Sequence, residues 1–407
     1  MIKVMCLVVL GLSLSVLRSE ALPAVKTVEA RDGRLVVNGK PFLPIGIYHA
    51  GHWHKGLREC GNQGFNLVQA YGGSPEDCRK DIDEAFANGM YSALALNNYC
   101  ERPELVEKIV SACREAPGLL VWLLEDEPNI RLPAPKDMPY AERPFRLPPA
   151  KLKPIYELLK RLDPAHPVWV NLAHGYLADH QAYNTVTDIQ SDDIYPVPGT
   201  ALPAVASYAD VVVQGAAGKV PWLILQMAPV RPELGDKDRH PTMTEVRCMT
   251  YLALAHGSTG VAYYSFNERA IWDNPPGLGW RTNESAPAYW AQWTDLTAEL
   301  TALAPYLLAL PVKGDVKVEI TEGSDKPGPW NYPALHVSLR KTETGYFLIA
   351  VNGFDTSIKA RLTLPVNPKT PQAAVRFENR LIPVTGSTIE DTFAPYAVHL
   401  YDFPVKP

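Results

Sequence analysis

The stretch Val121-Trp-Leu-Leu-Glu-Asp-Glu-Pro-Asn129 decides the reading of this chain. Four apolar residues run straight into three acids, and a proline follows. A short apolar run bounded by a turn-former suits a strand buried on both faces. Pro128 has no N–H to offer a ladder, so the strand should stop at Glu127. Alternation along it sets Glu125 and Glu127 on one side and Asp126 on the other. Three adjacent acids at the end of an apolar strand are costly to bury unless they are paired or used. This strand end is therefore a candidate for chemistry, against the plainer reading of a salt-bridged terminus.

Similar runs lie on both sides of it. Pro41–Tyr48, Gly64–Tyr71 and Met90–Asn97 precede it, and Pro167–Leu172, Asp188–Pro196, Pro221–Gln226 and Gly260–Phe266 follow. Between them Glu76–Ala87, Pro103–Arg114, Lys151–Leu162 and Thr242–His256 carry apolar residues at helical spacing, the last opening on a Thr242…Glu245 capping box. Eight strands alternating with helices predict a parallel α/β (β/α)8 TIM barrel over 41–310. After the helical stretch Ala286–Leu308 the period changes to strands alone, at 315–321, 334–340, 345–351, 358–364 and 395–403, which predicts an all-β sandwich over 311–407. Residues 22–40 read as a hairpin with an Asn38-Gly39 turn, closing the bottom of the barrel.

Residues 1–21 read as a secretory signal peptide, with Lys3, the apolar run Val4–Leu17 and the small-residue site Ser19-Glu20-Ala21. The run is shorter than the ~20 residues that cross a bilayer, and no later stretch is long enough, so no membrane span is expected. A secreted or periplasmic protein follows. Of 407 residues 46% are hydrophobic and 20% charged, the balance of a chain with a substantial core. Lys+Arg 39 against Asp+Glu 44 gives −5 with no basic stripe, which sets nucleic acid aside. Beyond Cys6, the cysteines Cys60, Cys78, Cys100, Cys113 and Cys248 allow one or two disulfides among the first four, and none forms a CxxC pair.

In a parallel barrel, reactive groups sit at the C-terminal ends of the strands. Those ends carry Tyr48 and His49; Tyr71; Asn97 and Asn98; Asp126 and Glu127; Asn171; Asp193 and Tyr195; Gln226; and Tyr264, Ser265 and Glu268. Carboxylates, amides and phenols, flanked by Trp53, Trp122, Trp272, Trp280 and Trp290, suit a carbohydrate, whose hydroxyls take bidentate partners and whose apolar faces stack on rings. No glycine-rich phosphate cradle or nucleophile elbow appears, and no cofactor is called for. His49, His52 and His54 cluster after the first run but lack a third-ligand pattern, so no metal is expected. Arg239-His240-Pro241 reads as loop structure, and Arg239 is the residue placed to reach an acidic sugar. The proline-rich segment Leu132–Pro149 is expected to shape a cleft.

Together, Val37-Asn-Gly-Lys-Pro-Phe-Leu-Pro-Ile-Gly-Ile-Tyr48, Trp122…Asp126-Glu127-Pro128, Asp193-Ile-Tyr-Pro196 and Gly260-Val-Ala-Tyr-Tyr-Ser265 resemble the TIM-barrel glycoside hydrolases related to β-galactosidases, cellulases and β-mannanases. The resemblance covers about residues 35–310. It implies that Glu127, in the place of the Glu of an Asn-Glu-Pro motif, is the general acid, with Asp126 replacing the Asn. It also implies a nucleophilic Glu at the end of the seventh strand, where this chain has Gln226. Three accounts stay open: a second carboxylate, Asp193 or Glu268, faces Glu127; the substrate supplies its own nucleophile beside Asp126, as in barrels that act on 2-acetamido sugars; or the protein binds glycans without cleaving them. Gln226 is expected to hold a hydroxyl, an acetamido group or a water. A carboxyl spacing of about 6.5–9.5 Å would mean inversion and one of about 5–5.5 Å retention.

Overall fold

The computed structural model describes residues 22–50, 54–71, 73–97, 99–266, 286–324, 326 and 331–404. Glu268 and Trp272, with His52, Trp53, Asn98 and Trp280, lie outside the described residues, as do residues 1–21.

The chain opens on three antiparallel strands, β1 (Val28–Arg31), β2 (Arg34–Val37) and β3 (Lys40–Phe42). Two turns join them, Asp32-Gly33 (φ 53° and 71°) and Asn38-Gly39 (φ 50° and 79°). Positive φ at both central residues matches the twist of a two-residue hairpin, and Asn-Gly and Asp-Gly both tolerate it. The expected hairpin is a three-stranded sheet, because Asp32-Gly33 makes a second turn of the same kind as Asn38-Gly39. Val28, Leu35 and Val37 pack with Leu67, Tyr91 and Val220, sealing the bottom of the barrel.

All eight expected runs are strands: β4 (Ile45–Ile47), β5 (Leu67–Ala70), β6 (Tyr91–Ala95), β7 (Leu119–Asp126), β8 (Val168–Ala173), β9 (Ile189–Ile194), β10 (Val220–Gln226) and β11 (Val261–Tyr264). They pair in parallel in chain order, and β11 closes on β4. Inside, Tyr91, Val121, Leu123, Trp169, Trp222 and Ile224 fill the lumen. Outside, Trp122, Leu124, Val168, Val170 and Leu172 meet the helices. Those helices are α1 (His54–Asn62), α2 (Pro75–Ala87), α3 (Pro103–Cys113), α4 (Pro149–Leu162), α5 (Leu177–Tyr183), α6 (Ala204–Ala216) and α7 (Met243–Ala255). The Thr242–Glu245 capping box forms, and a second starts α2 at Ser74–Asp77. The long helix expected at 286–308 is two, α8 (Ala286–Ala291) and α9 (Trp293–Leu307).

The C-terminal part is a sandwich of β12 (Lys317–Glu322), β13 (Leu335–Lys341), β14 (Gly345–Asn352), β15 (Ile358–Thr363), β16 (Gln372–Val375), β17 (Arg380–Pro383), β18 (Thr388–Phe393) and β19 (Val398–Pro404). A three-stranded sheet, β12-β15-β18, faces a five-stranded one, β13-β14-β19-β16-β17. Alternation along β14 divides its side chains between two cores. Leu348 and Ala350 face the other sheet, whereas Phe347, Ile349 and Val351 pack with Leu252, Leu300 and Leu303 of the barrel helices. Buried Arg340 donates to Leu254 O at 2.6 Å across this seam, and Arg247 donates to Val398 O at 2.9 Å.

None of the five described cysteines is in a disulfide, and Cys60, Cys78, Cys113 and Cys248 are buried, so the disulfides that the sequence allows do not form among them. They act as small apolar fillers of the helix layer. Among the described residues no helix is long and apolar enough to cross a membrane.

Candidate active site

The chemistry of the barrel mouth is set by how β7 ends. The pairing of β7 with β8 slips between Leu123 and Glu125, a bulge at Leu124. A bulge adds one residue and reverses the alternation beyond it. Leu123 therefore faces the lumen and Leu124 the helices, after which Glu125 turns outward and Asp126 inward. Glu125, 1% exposed, accepts from Arg146 Nη2 at 3.1 Å, and the same nitrogen donates to Asp126 O at 2.7 Å.

Glu127 does not share the side of Glu125, contrary to simple alternation. Its φ of 49° breaks the strand and returns its carboxyl to the mouth beside Asp126. A left-handed non-glycine residue costs about 1–3 kcal/mol and persists where neighbours hold it. Here Glu127 N donates to Asn171 O at 2.9 Å. Two residues on, the buried Asn129 accepts from Ala173 N at 2.9 Å and donates to Ala173 O at 2.7 Å and to Asp179 at 2.9 Å. Arg131 donates to Asp179 at 2.6 Å and lies 4.0 Å over the Phe145 ring. Sequence reasoning missed Asn129, Arg131, Asp179 and Arg146; the signal available was an Asn directly after the Glu-Pro. His49 (φ 65°) and His174 (φ 75°) take the same conformation just beyond β4 and β8.

Asp126 is fixed by a relay. Asn171 Nδ2 donates to Asp126 Oδ1 at 2.9 Å, Ser191 Oγ donates to Asn171 Oδ1 at 2.6 Å, and Trp169 Nε1 donates to Ser191 Oγ at 2.7 Å. Asn171, expected to touch substrate, spends its amide orienting Asp126 instead. Burial, with Glu127 and Glu125 nearby, raises the Asp126 pKa to about 7 against the Asn171 hydrogen bond.

Asp193 comes from β9, where Ser191 and Asp193 face the lumen and Asp192 turns outward to His180 Nε2 at 2.9 Å. Its carboxyl lies beside that of Glu127. Burial first, then the charges of Glu127, Asp192 and Asp126, hold its pKa well above the usual carboxylate range. Asp193 Oδ1 is buried with no protein partner.

Aromatic rings wall this cluster. Tyr48 and Tyr264 centroids are 6.0 Å apart, Tyr195 and Tyr264 5.3 Å, His49 and Tyr264 5.1 Å, and His49 and Tyr71 6.1 Å. Tyr48 is 2% exposed and its hydroxyl has no protein partner, as is true of the buried Asn97 Oδ1 at the end of β6. Tyr48, Tyr71, Asp126, Glu127, Asp193, Tyr195 and Tyr264 therefore meet as the sequence suggests, with His49 against two of the rings.

Other expected contacts are not there. Trp122 is buried outside the barrel and donates to Asp163 at 2.9 Å, because the bulge lies beyond it and leaves it on the helix side. Trp290 stacks on Phe65 in the helix layer. Arg239 is held by both oxygens of Glu245, each at 2.7 Å, so it braces the start of α7. Gln226 is fully buried: Oε1 accepts from Val197 N at 2.8 Å, and Nε2 donates to Val197 O at 2.8 Å and Ala228 O at 3.1 Å. Backbone takes both ends of the amide, which leaves neither for a sugar or a water. Gln226→Glu removes two donors and buries a charge, so a loss of about 2–4 kcal/mol in denaturant unfolding is expected; unchanged stability would contradict this bracing role.

The segment after β7 is tied back by hydrogen bonds to the strand end and to β8's exit. Arg146 N donates to Ile130 O at 2.7 Å and Leu132 N to Pro144 O at 2.8 Å, and at its tip Tyr140 Oη meets His174 Nε2 at 2.8 Å. Among the described residues no group of three His, Cys, Asp or Glu is arranged to hold a metal ion.

Residues 151–274 match the sequence profile of a glycoside hydrolase 42 family described as β-galactosidase. No curated protein matches the chain by sequence. Among solved structures, a family 5 glycoside hydrolase from Bacteroides vulgatus superposes with a TM-score of 0.57 at 13% identity, covering 92% of each chain. Another, described as a glycoside hydrolase, gives 0.58 at 12%, over 92% of this chain and 96% of that one. An Anoxybacillus α-amylase gives 0.53 at 12%, over 90% and 98%. At these identities the likeness is one of fold: this chain shares the barrel framework of glycoside hydrolases and, over residues 151–274, is similar in sequence to a β-galactosidase family.

Proposed function

We propose that the protein is a glycoside hydrolase that cleaves O-glycosidic bonds of an oligo- or polysaccharide, with Glu127 as general acid and Asp193 as its partner carboxyl. The observation that carries this reading is that Asp193 and Glu127 lie side by side at the barrel mouth. The raised pKa of Asp193 places a proton on Asp193 at rest. The reactive form is the one in which that proton has passed to Glu127 and left Asp193 ionised. Glu127 then protonates the leaving oxygen while Asp193 attacks the anomeric carbon, forming a glycosyl ester and breaking the glycosidic bond. Glu127, now a carboxylate, takes a proton from the water that cleaves the ester. Neighbouring carboxyls at one mouth suit the closer of the two spacings, about 5–5.5 Å, so retention of configuration is the expected outcome.

In this reading the second carboxyl comes from the sixth barrel strand, and Gln226 is a brace rather than a decayed nucleophile. The similarity of residues 151–274 to a β-galactosidase family and the fold shared with glycoside hydrolases support glycan hydrolysis. One feature favours a second route: Asp126, held by Asn171 beside Glu127, is placed to orient a 2-acetamido group that acts as the nucleophile. Export through residues 1–21 is part of the proposal, and the N-terminus of the mature protein tests it. The experiment for the function is hydrolysis of a panel of aryl glycosides and of plant and algal polysaccharides. Release from at least one class is expected. Release confined to 2-acetamido sugars would move the nucleophile from Asp193 to the substrate, and binding without release would leave a glycan-binding protein.

A further inference from the structure

The mouth carries more carboxyls than the proposed reaction uses. Two carboxyls suffice to break a glycosidic bond, yet Asp126, Glu127 and Asp193 converge there. Among the described residues no lysine or arginine pairs with any of these three side chains. Arg146 turns to Glu125 and the Asp126 carbonyl, Arg131 to Asp179, and Arg239 to Glu245.

A second observation is independent of that surplus. Tyr48, 2% exposed, has a hydroxyl with no protein partner, set among Asp126, Asp193 and Glu127. Asp193 Oδ1 is likewise buried and unpartnered. Buried polar atoms are nearly always hydrogen-bonded, so two at one mouth mark the seat of a ligand group. Around them stand the rings of Tyr48, Tyr71, Tyr195 and Tyr264. Carboxylates set among aromatic rings attract an ammonium group, by charge and through the negative faces of the rings. A neutral hydroxyl satisfies Tyr48 and Asp193 equally well but leaves the surplus carboxyl unanswered. A sugar carboxylate or sulfate adds a further negative charge, at a cost that grows as water is excluded.

The geometry points to an amino sugar, with its free amine protonated, as the preferred unit at this mouth, and to exclusion of uronic acid and sulfated units. This rests on the carbohydrate reading above and narrows it. An ammonium seated among the three acids also offsets the burial and the neighbouring acids that lift Asp126 to about 7.

The test compares aryl glycosides that differ only in a hydroxyl or a free amine at carbon 2, or a carboxylate at carbon 6. They are made in gluco and galacto configuration and both anomers, and assayed at about pH 6, where the amine is charged. Binding of glucosamine oligomers and of cello-oligomers is measured by calorimetry in parallel, on the wild type and on Asp126→Asn. The amine is expected to raise kcat/KM at least about tenfold over its parent, with the uronide undetected. Asp126→Asn is expected to cut the ratio of the two oligomer affinities by about tenfold, because one of the three carboxyls that can pair with the ammonium is gone. A parent glycoside cleaved as fast as its amine, or an affinity ratio that Asp126→Asn leaves unchanged, overturns the inference while the glycosidase reading stands. Preferential binding of the glucosamine oligomers with no cleavage of any substrate supports the inference and removes the hydrolase reading. Neither binding nor cleavage removes both.

Discussion

Glu127→Gln is expected to lower turnover by roughly 10²–10⁴-fold, the range of a lost general acid, while the unfolding midpoint and sugar binding stay near those of the wild type. Gln matches the volume of Glu and still donates from its amide, so Asp193 keeps a polar neighbour. The left-handed backbone at position 127 depends on Asn171, Asn129 and Asp179 rather than on the side chain itself. Leaving groups that need no protonation sharpen the prediction. A dinitrophenyl glycoside should lose far less than a natural linkage, because an acidic phenol departs unaided. An equal loss on both would place Glu127 in folding or binding instead.

Asp193→Asn is expected to abolish turnover on both kinds of substrate, since it removes the nucleophile, and at the same time to stabilise the protein. The sign follows from the raised pKa of Asp193. A carboxyl whose folded pKa exceeds its unfolded value binds more protons when folded, so stability is fully present below the unfolded pKa and falls as pH rises through the folded one. At neutral pH the wild type bears that cost and Asn does not. Thermal unfolding should therefore shift upward by about 1–2 °C per kcal/mol relieved, and the gap should widen with rising pH. Functional sites commonly trade stability for activity in this direction. An Asp193→Asn variant that is both inactive and less stable, with no change in the gap across pH, would mark Asp193 as a structural partner only.

Much of the fold was legible because each barrel strand is an apolar run closed by polar residues, and each helix carries its own period and cap. The first capping box was visible as Thr242…Glu245 and formed. Three sandwich strands went unseen: Gln372–Val375 and Arg380–Pro383 are only four residues long, and Thr388–Phe393 lacks a sustained apolar face. The Asp32-Gly33 turn carried the same signal as Asn38-Gly39 and was overlooked.

At the site, residue types were readable but directions were not. Asp126, Glu127, Asp193 and the four tyrosines follow from the rule that strand ends bear the chemistry. The bulge at Leu124 and the left-handed turn at Glu127 do not, because they depend on contacts with β8 and α5, far away in sequence. These two features decide that Glu127 faces Asp193 and that Trp122 does not face a sugar. Gln226 shows the same limit. Its place on the strand was read correctly, but its partner is the backbone of Val197, across the neighbouring strand end.

The claim that Glu127 and Asp193 work as one carboxyl pair is tested most directly by proton NMR of the anomeric signals during hydrolysis by the wild-type protein. Their side-by-side placement predicts that the first product formed keeps the anomeric configuration of the substrate, before mutarotation mixes the two forms. A first product of inverted configuration would require a water between acid and base, and so would contradict the pair.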